Sequence, residues 1–131
     1  MILVDTSVLI DFFKGSKNEA TSRFKLVLQQ GLNFGITSHI LQEVLQGAKS
    51  EKEYTLLRRY LETQRFFQPK DPIASFAEAA RIFFRCRKRG LTIRSTIDCL
   101  IAQIALEHDL LLLHSDQDFH LMANVIPLKI Y

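Results

Sequence analysis

The chain has 131 residues, 47% of them hydrophobic and 24% charged, with 10 Phe and only 3 Pro; this describes one globular domain with a real core and excludes a disordered or low-complexity chain. A formal net charge of +3 permits an anionic partner such as nucleic acid without requiring one. No apolar run is long enough to span a membrane, Asp5 interrupts any apolar leader, and the two cysteines, Cys86 and Cys99, lie outside any CxxC or Cys/His pattern, which argues against zinc and for reduced thiols in a cytoplasmic protein.

Residues 2–4 read as a short buried strand, ending in Asp5, Thr6 and Ser7. A helix follows over 6–14 and stops at Gly15, and a second runs over 19–30 to Gly31. Phe34 to Thr37 reads as another strand. Ser38 is placed to cap the next helix, whose apolar stripe is Ile40, Leu41, Val44 and Leu45 and which Gly47 closes. Residues 51–65 read as helical, with Leu56, Leu57, Tyr60 and Leu61 on one face, and Pro69 and Pro72 bracket a turn. A long helix over 73–89 is expected to bury Phe76, Ala80, Phe83 and Phe84 and to expose Arg81, Arg85 and Lys88. Residues 96–107 are apolar nearly all round, as in a helix buried on most sides. Leu110 to Leu113 is a continuous apolar run of the kind found in buried parallel strands. Residues 125–128 read as a last strand, which Pro127 marks as an edge. Strands alternating with helices predict a single α/β domain over 1–131, three-layered α/β/α around a central, mainly parallel sheet.

In such sheets ligands bind beyond the carboxyl ends of the strands. Two strands end there in acids: the first in Asp5, the late one in His114-Ser115-Asp116-Gln117-Asp118. Two further acids lie on largely apolar helices, Glu43 in SHILQEVLQG and Asp98 in STIDCLIAQIAL. Each has a structural reading of its own. Asp5 suits a helix N-terminus, Ser95 and Asp98 fit a capping box, Glu43 fits a solvated helix position, and Asp116 with Asp118 fits a turn and a cap for a helix over 119–123. Together they fit metal-assisted phosphodiester hydrolysis. Hard cations prefer carboxylate oxygen, and three or four convergent carboxylates hold one or two ions. Without a cation the cluster would repel itself and take up protons.

On these residues the sequence resembles the PIN-domain nucleases, and among them the VapC-type toxins of toxin–antitoxin pairs. The resemblance spans the whole chain and rests on MILVDTSVLIDFFKG, ITSHILQEVLQG and STIDCLIAQIALEHDLLLLHSDQDF. It implies a catalytic quartet of Asp5, Glu43, Asp98 and Asp116, with Asp5, Asp98 and Asp116 as metal ligands. It implies auxiliary roles for Thr6 and Asp118. One departure stands out: His114 occupies a position where the family usually has Thr or Ser, so Ser115 becomes the candidate hydroxyl, and His114 is either a phosphate contact or a partly buried strand-end residue. The resemblance further implies a Mg²⁺-dependent endoribonuclease (Mn²⁺ substituting) that acts on structured RNA such as tRNA or ribosomal RNA and leaves 5′-phosphate and 3′-hydroxyl ends. It implies a homodimer and an inhibiting antitoxin through which the complex meets promoter DNA.

RNA needs positive charge near the acids. The densest run is Arg85, Arg87, Lys88, Arg89 and Arg94, and Lys88, Arg89 and Arg94 are the candidate contacts; a solvated helix end explains the same run. His39, one turn before Glu43, is a further phosphate candidate. The resemblance implies that the segment 38–65 forms the antitoxin groove, with Phe12, Phe13, Phe66 and Phe67 as either groove aromatics or core. Other readings remain: a housekeeping PIN-type RNA-processing nuclease without antitoxin, and a catalytically inert PIN-fold binding module. A phosphoacceptor receiver domain fits poorly, because only Asp5 follows the first strand.

Overall fold

The computed structural model describes residues 1–131. Five short strands, β1 (Ile2–Val4), β2 (Phe34–Ile36), β3 (Arg65–Phe66), β4 (Leu111–Leu113) and β5 (Lys129–Ile130), form one sheet in the order β3-β2-β1-β4-β5. Every pairing is parallel. Seven helices connect them: α1 (Thr6–Phe13), α2 (Glu19–Gln29), α3 (Ser38–Gln46), α4 (Glu51–Glu62), α5 (Ala74–Lys88), α6 (Thr96–Glu107) and α7 (Gln117–Ala123). The chain winds one way from β1 to β3 and then returns past β1 to β4 and β5. Right-handed crossovers therefore put α1–α4 on one face and α5–α7 on the other, the three-layer architecture expected.

The order of strands fixes where a ligand can bind. It reverses direction between β1 and β4, and such a switch point opens a crevice at the strand carboxyl ends. Val4 pairs with Leu113, so the chain leaves both strands side by side, at Asp5 and at His114. The core beneath is fully apolar there: Leu3, Val4, Leu112 and Leu113 have essentially no exposed surface.

The structure corrects several expectations. Thr37, not Ser38, caps α3: its hydroxyl accepts the Ile40 N–H at 3.1 Å. The helix expected over 51–65 ends at Glu62, and Arg65–Phe66 instead pairs with Gly35–Ile36 as an edge strand. Gly35 is required there, since a Cβ would stand 2.5 Å from the Phe67 ring and 2.8 Å from the Arg65 carbonyl oxygen. The last strand lies at Lys129–Ile130 rather than 125–128. Pro127 has no N–H to give the ladder and stays in the connection.

The largest correction concerns α5. Its buried face is Ser75, Ala79, Ile82 and Cys86, not Phe76, Ala80, Phe83 and Phe84. Phe76 and Phe84 are 47% and 49% exposed, and Phe83 is half-buried. Both sets have helical spacing. The small residues let α5 approach its neighbours closely, and the bulky rings are turned outward. On α4 only Leu61 of the expected face is fully buried, while Leu56 and Tyr60 are exposed. Ile97 of α6 is exposed as well.

Candidate active site

Asp5 is the N-cap of α1 and is almost wholly buried, at 4% exposure. Its N–H donates to the Leu113 carbonyl oxygen (2.9 Å). Its Oδ2 accepts the Ser7 N–H (3.1 Å) and the Ser7 hydroxyl (2.6 Å), which leaves Oδ1 available. Ser7 Oγ in turn accepts the Ser115 N–H at 3.0 Å, tying the end of β1 to the turn after β4. Ser7 is the residue the sequence reading left without a role. Its signal was the Asp5-Thr6-Ser7 triplet, in which the hydroxyl two residues past a cap can fold back on the carboxylate. Thr6 turns the other way: its hydroxyl donates to Glu43 Oε1 at 3.4 Å, linking α1 to α3.

Asp98 stands at the third position of α6, where its N–H donates to the Ser95 hydroxyl (3.3 Å). This is the serine half of the expected capping box. No hydrogen bond engages the Asp98 carboxylate within the chain. Burial raises its pKa to about 7, and Asp5, Asp116, Glu43 and Asp118 add repulsion. Five carboxylates from four parts of the sequence thus act on one another. Burial also raises the pKa of Asp5, against the lowering effect of the Ser7 hydrogen bonds.

Asp116 is the N-cap of α7 and accepts the Asp118 N–H on Oδ1 (2.9 Å). The helix therefore begins at Gln117, two residues before the expected 119. Oxygens of Asp98, Asp116 and Asp118 lie within 4.8 Å of one another. Asp118 is closer to this group than the sequence reading placed it, but both its oxygens are engaged. Oδ2 accepts the Arg94 N–H (2.9 Å) and Oδ1 faces Arg94 Nε at 3.7 Å. At 3% exposure Asp118 pins the segment before α6 to α7.

His114 is buried, at 8% exposure. Its Nδ1 accepts the Asp116 N–H at 3.1 Å, so the neutral ring carries its hydrogen on Nε2. Burial and the nearby His120 push its pKa down to about 4. Ser115 is exposed and meets the acid group through its backbone N–H. The Arg94 side chain is 75% exposed at the rim. Lys88 and Arg89 sit at the C-terminal end of α5, with Lys88 Nζ 5.5 Å from the Phe84 ring centre. His39 lines an apolar cavity of about 440 Å³ with Phe76, Phe83, Ile97 and Leu100. Phe67 is core, Phe12 and Phe66 pack partly against it, and Phe13 is exposed.

The donor set fits a hard divalent cation. It is all carboxylate oxygen, and the one cation beside it, Arg94, faces the acid already held by the backbone. Without a cation, burial and mutual repulsion raise the proton affinity of such a cluster, and they raise the pKa of Asp98 to about 7.

Residues 2–125 match the family model of the PIN domain. The chain belongs to the PIN-domain family. This PIN domain is 32% identical over 130 residues to Ribonuclease VapC11 of Mycobacterium tuberculosis, an alignment covering 98% of the chain and 96% of that relative. It matches a VapC ribonuclease of Mycobacterium bovis to the same extent, and it is accordingly of the VapC type. Its fold is shared with the promoter-bound VapBC2 structure of Rickettsia felis at a TM-score of 0.73 and 18% identity, over 100% of this chain and 98% of that one. The DNA-bound VapBC of Salmonella typhimurium aligns at a TM-score of 0.72 and 18% identity, over 99% and 96%. No helix of the PIN domain is long and apolar enough to cross a membrane.

Proposed function

We propose that this PIN domain is a Mg²⁺-dependent endoribonuclease and the toxin of a toxin–antitoxin pair. The observation that carries the reading is the unpaired Asp98 carboxylate, under repulsion from Asp5, Asp116, Glu43 and Asp118 at the sheet's switch point. Asp5, Asp98 and Asp116 are the metal ligands in this reading, because each keeps at least one oxygen free of internal hydrogen bonds. When bound, Mg²⁺ supplies the positive charge that eases deprotonation of water and offsets charge on the phosphate. Glu43, held through Thr6, takes the fourth catalytic position. Ser7 positions Asp5, and Asp118 with Arg94 positions Asp116 and Asp98. Arg94, Arg89 and Lys88 attract the RNA backbone.

The named relatives support an antitoxin partner. The exposed Phe13, Leu56 and Tyr60 on α1 and α4, with Phe13 and Tyr60 rings 6.1 Å apart, supply the apolar surface for it. A homodimer would cover the outward Phe76 and Phe84 of α5. The site itself needs neither partner, so the first test uses the chain alone. Purified protein free of antitoxin is incubated with total RNA and Mg²⁺, with chelator, or as Asp98→Asn. Discrete fragments with 5′-phosphate and 3′-hydroxyl ends are expected only with Mg²⁺ and the native acid. Intact RNA in all three samples, with the protein folded, would refute the reading.

A further inference from the structure

A second cavity, of about 350 Å³, borders the acids through Asp116 and is also lined by Ser115. Its size is at the lower end of the ~300–1,000 Å³ typical of small-ligand pockets. His114, which replaces the hydroxyl residue expected from the resemblance, lines it. The His114 Nε2 is buried with no hydrogen-bond partner, although the bond from the Asp116 N–H to Nδ1 makes Nε2 the hydrogen-bearing atom. A buried donor without an acceptor is costly and calls for one.

The rest of the wall decides what kind of ligand would provide it. The His120 ring stands edge-on to His114, with centres 4.7 Å apart at 70°, and Ser115, Gln117 and Tyr131 also line the cavity. The one cation there, Arg23, is already engaged: Nη2 bonds Glu19 Oε1 (2.7 Å) and Nη1 donates to the Tyr131 main-chain oxygen (2.6 Å). Asp116 adds negative charge. A phosphate would therefore meet paired charges and a repelling carboxylate. A neutral flat group with hydrogen-bonding edges would meet aromatic rings, an amide, hydroxyls and an unsatisfied N–H, which is how unstacked bases of single-stranded RNA are held.

We propose that this cavity is a subsite for one nucleobase of the RNA, adjacent to the bond that is cut, with the exposed His120 ring contacting its face and the buried His114 ring turning to bring its Nε2 hydrogen to the base edge. The proposal rests on the ribonuclease reading for the word RNA, but the base site can be tested without cleavage. The four ribonucleosides and, separately, ribose 5-phosphate are titrated against protein with labelled imidazoles and followed by NMR. In parallel, wild type, His120→Ala and His114→Thr are given Mg²⁺ and an RNA of randomised sequence, and cut positions are read by sequencing. One nucleoside should shift the His114 and His120 resonances saturably, more than ribose 5-phosphate does. Wild type should show about a tenfold base preference at one position beside the cut, in line with stacking strength, falling below about threefold in His120→Ala while cutting persists.

No shift with any nucleoside, an equal shift with ribose 5-phosphate, or an unchanged base preference in both variants would overturn the proposal. If wild type cuts nothing yet a nucleoside still shifts both imidazoles, the nuclease reading falls and the base-binding cavity stands.

Discussion

Asp5 and Asp98 serve the same site but are held in opposite ways. Asp5 leaves β1 inside a cage: Ser7 gives its carboxylate two hydrogen bonds, and its backbone N–H is tied to Leu113. Asp98, near the start of α6, receives none on its carboxylate and carries the repulsion of four other acids. The caged acid would be as much scaffold as ligand in the proposed metal site, because it closes α1 against the turn after β4. The uncaged acid makes no internal hydrogen bond through its carboxylate, and in the proposed metal site it would gain most from a cation. Asp118, with both oxygens facing Arg94, and Asp116, which accepts only the Asp118 N–H, fall between these extremes.

The largest expected effect is shared by both acids. Asp5→Asn and Asp98→Asn should each lower Mg²⁺-dependent cleavage at least about 100-fold, the order expected for losing a group that acts at the reacting phosphate. A variant of either that retains more than a tenth of the activity would remove that acid from the catalytic set.

Stability should then separate them. Asp5→Ala loses an N-cap and is expected to destabilise the protein by about 1 kcal/mol. Asp98→Ala should be neutral or stabilising in chelator, because it relieves the repulsion that Asp5, Asp116, Glu43 and Asp118 exert on this half-buried carboxyl. Equal losses in denaturant melts would erase the contrast.

The pH dependence follows from Asp98. Its carboxyl titrates near 7 in the folded chain against 3.8 as an unperturbed group, so the folded state holds the extra proton between those values. This contribution to stability is fully present below about pH 4 and is lost as pH rises to about 7. In chelator the melting temperature should therefore fall between pH 5.5 and 7.5. The Asp98→Asn variant should lack this component, and Mg²⁺ should reverse it. A wild-type slope unchanged by that substitution would contradict the placement of Asp98.

The acids and the helix faces differ in how far they were legible in the sequence. The acids were legible because chemistry restricts them: a strand ending in Asp-Thr-Ser and another ending in His-Ser-Asp have few uses at a parallel sheet's carboxyl edge. Their capping roles were legible too, and Asp5 and Asp116 are N-caps in the fold. The face of α5 was not legible. Phe76, Ala80, Phe83 and Phe84 share a helical stripe with the expected periodicity, but so do Ser75, Ala79, Ile82 and Cys86, and periodicity cannot say which stripe meets the core. Strand β3 escaped because two residues carry no alternation, and because Gly35 makes room for Phe67 in a way only the folded sheet reveals. Ile82→Ala should cost about 2–4 kcal/mol and Phe84→Ser less than about 1 kcal/mol, the reverse of the ranking that residue size suggests; urea midpoints would settle it.

The most direct test of the central claim is metal binding by the acid cluster itself. Mn²⁺ is titrated into wild-type protein, Asp98→Asn and Asp5→Asn, with free Mn²⁺ read by electron paramagnetic resonance and Mg²⁺ added as competitor. Saturable binding that Mg²⁺ displaces and that weakens at least about tenfold in both variants is the predicted result. Binding of equal strength in Asp98→Asn, or none in the folded wild-type protein, would contradict the assignment of these carboxylates as a metal centre.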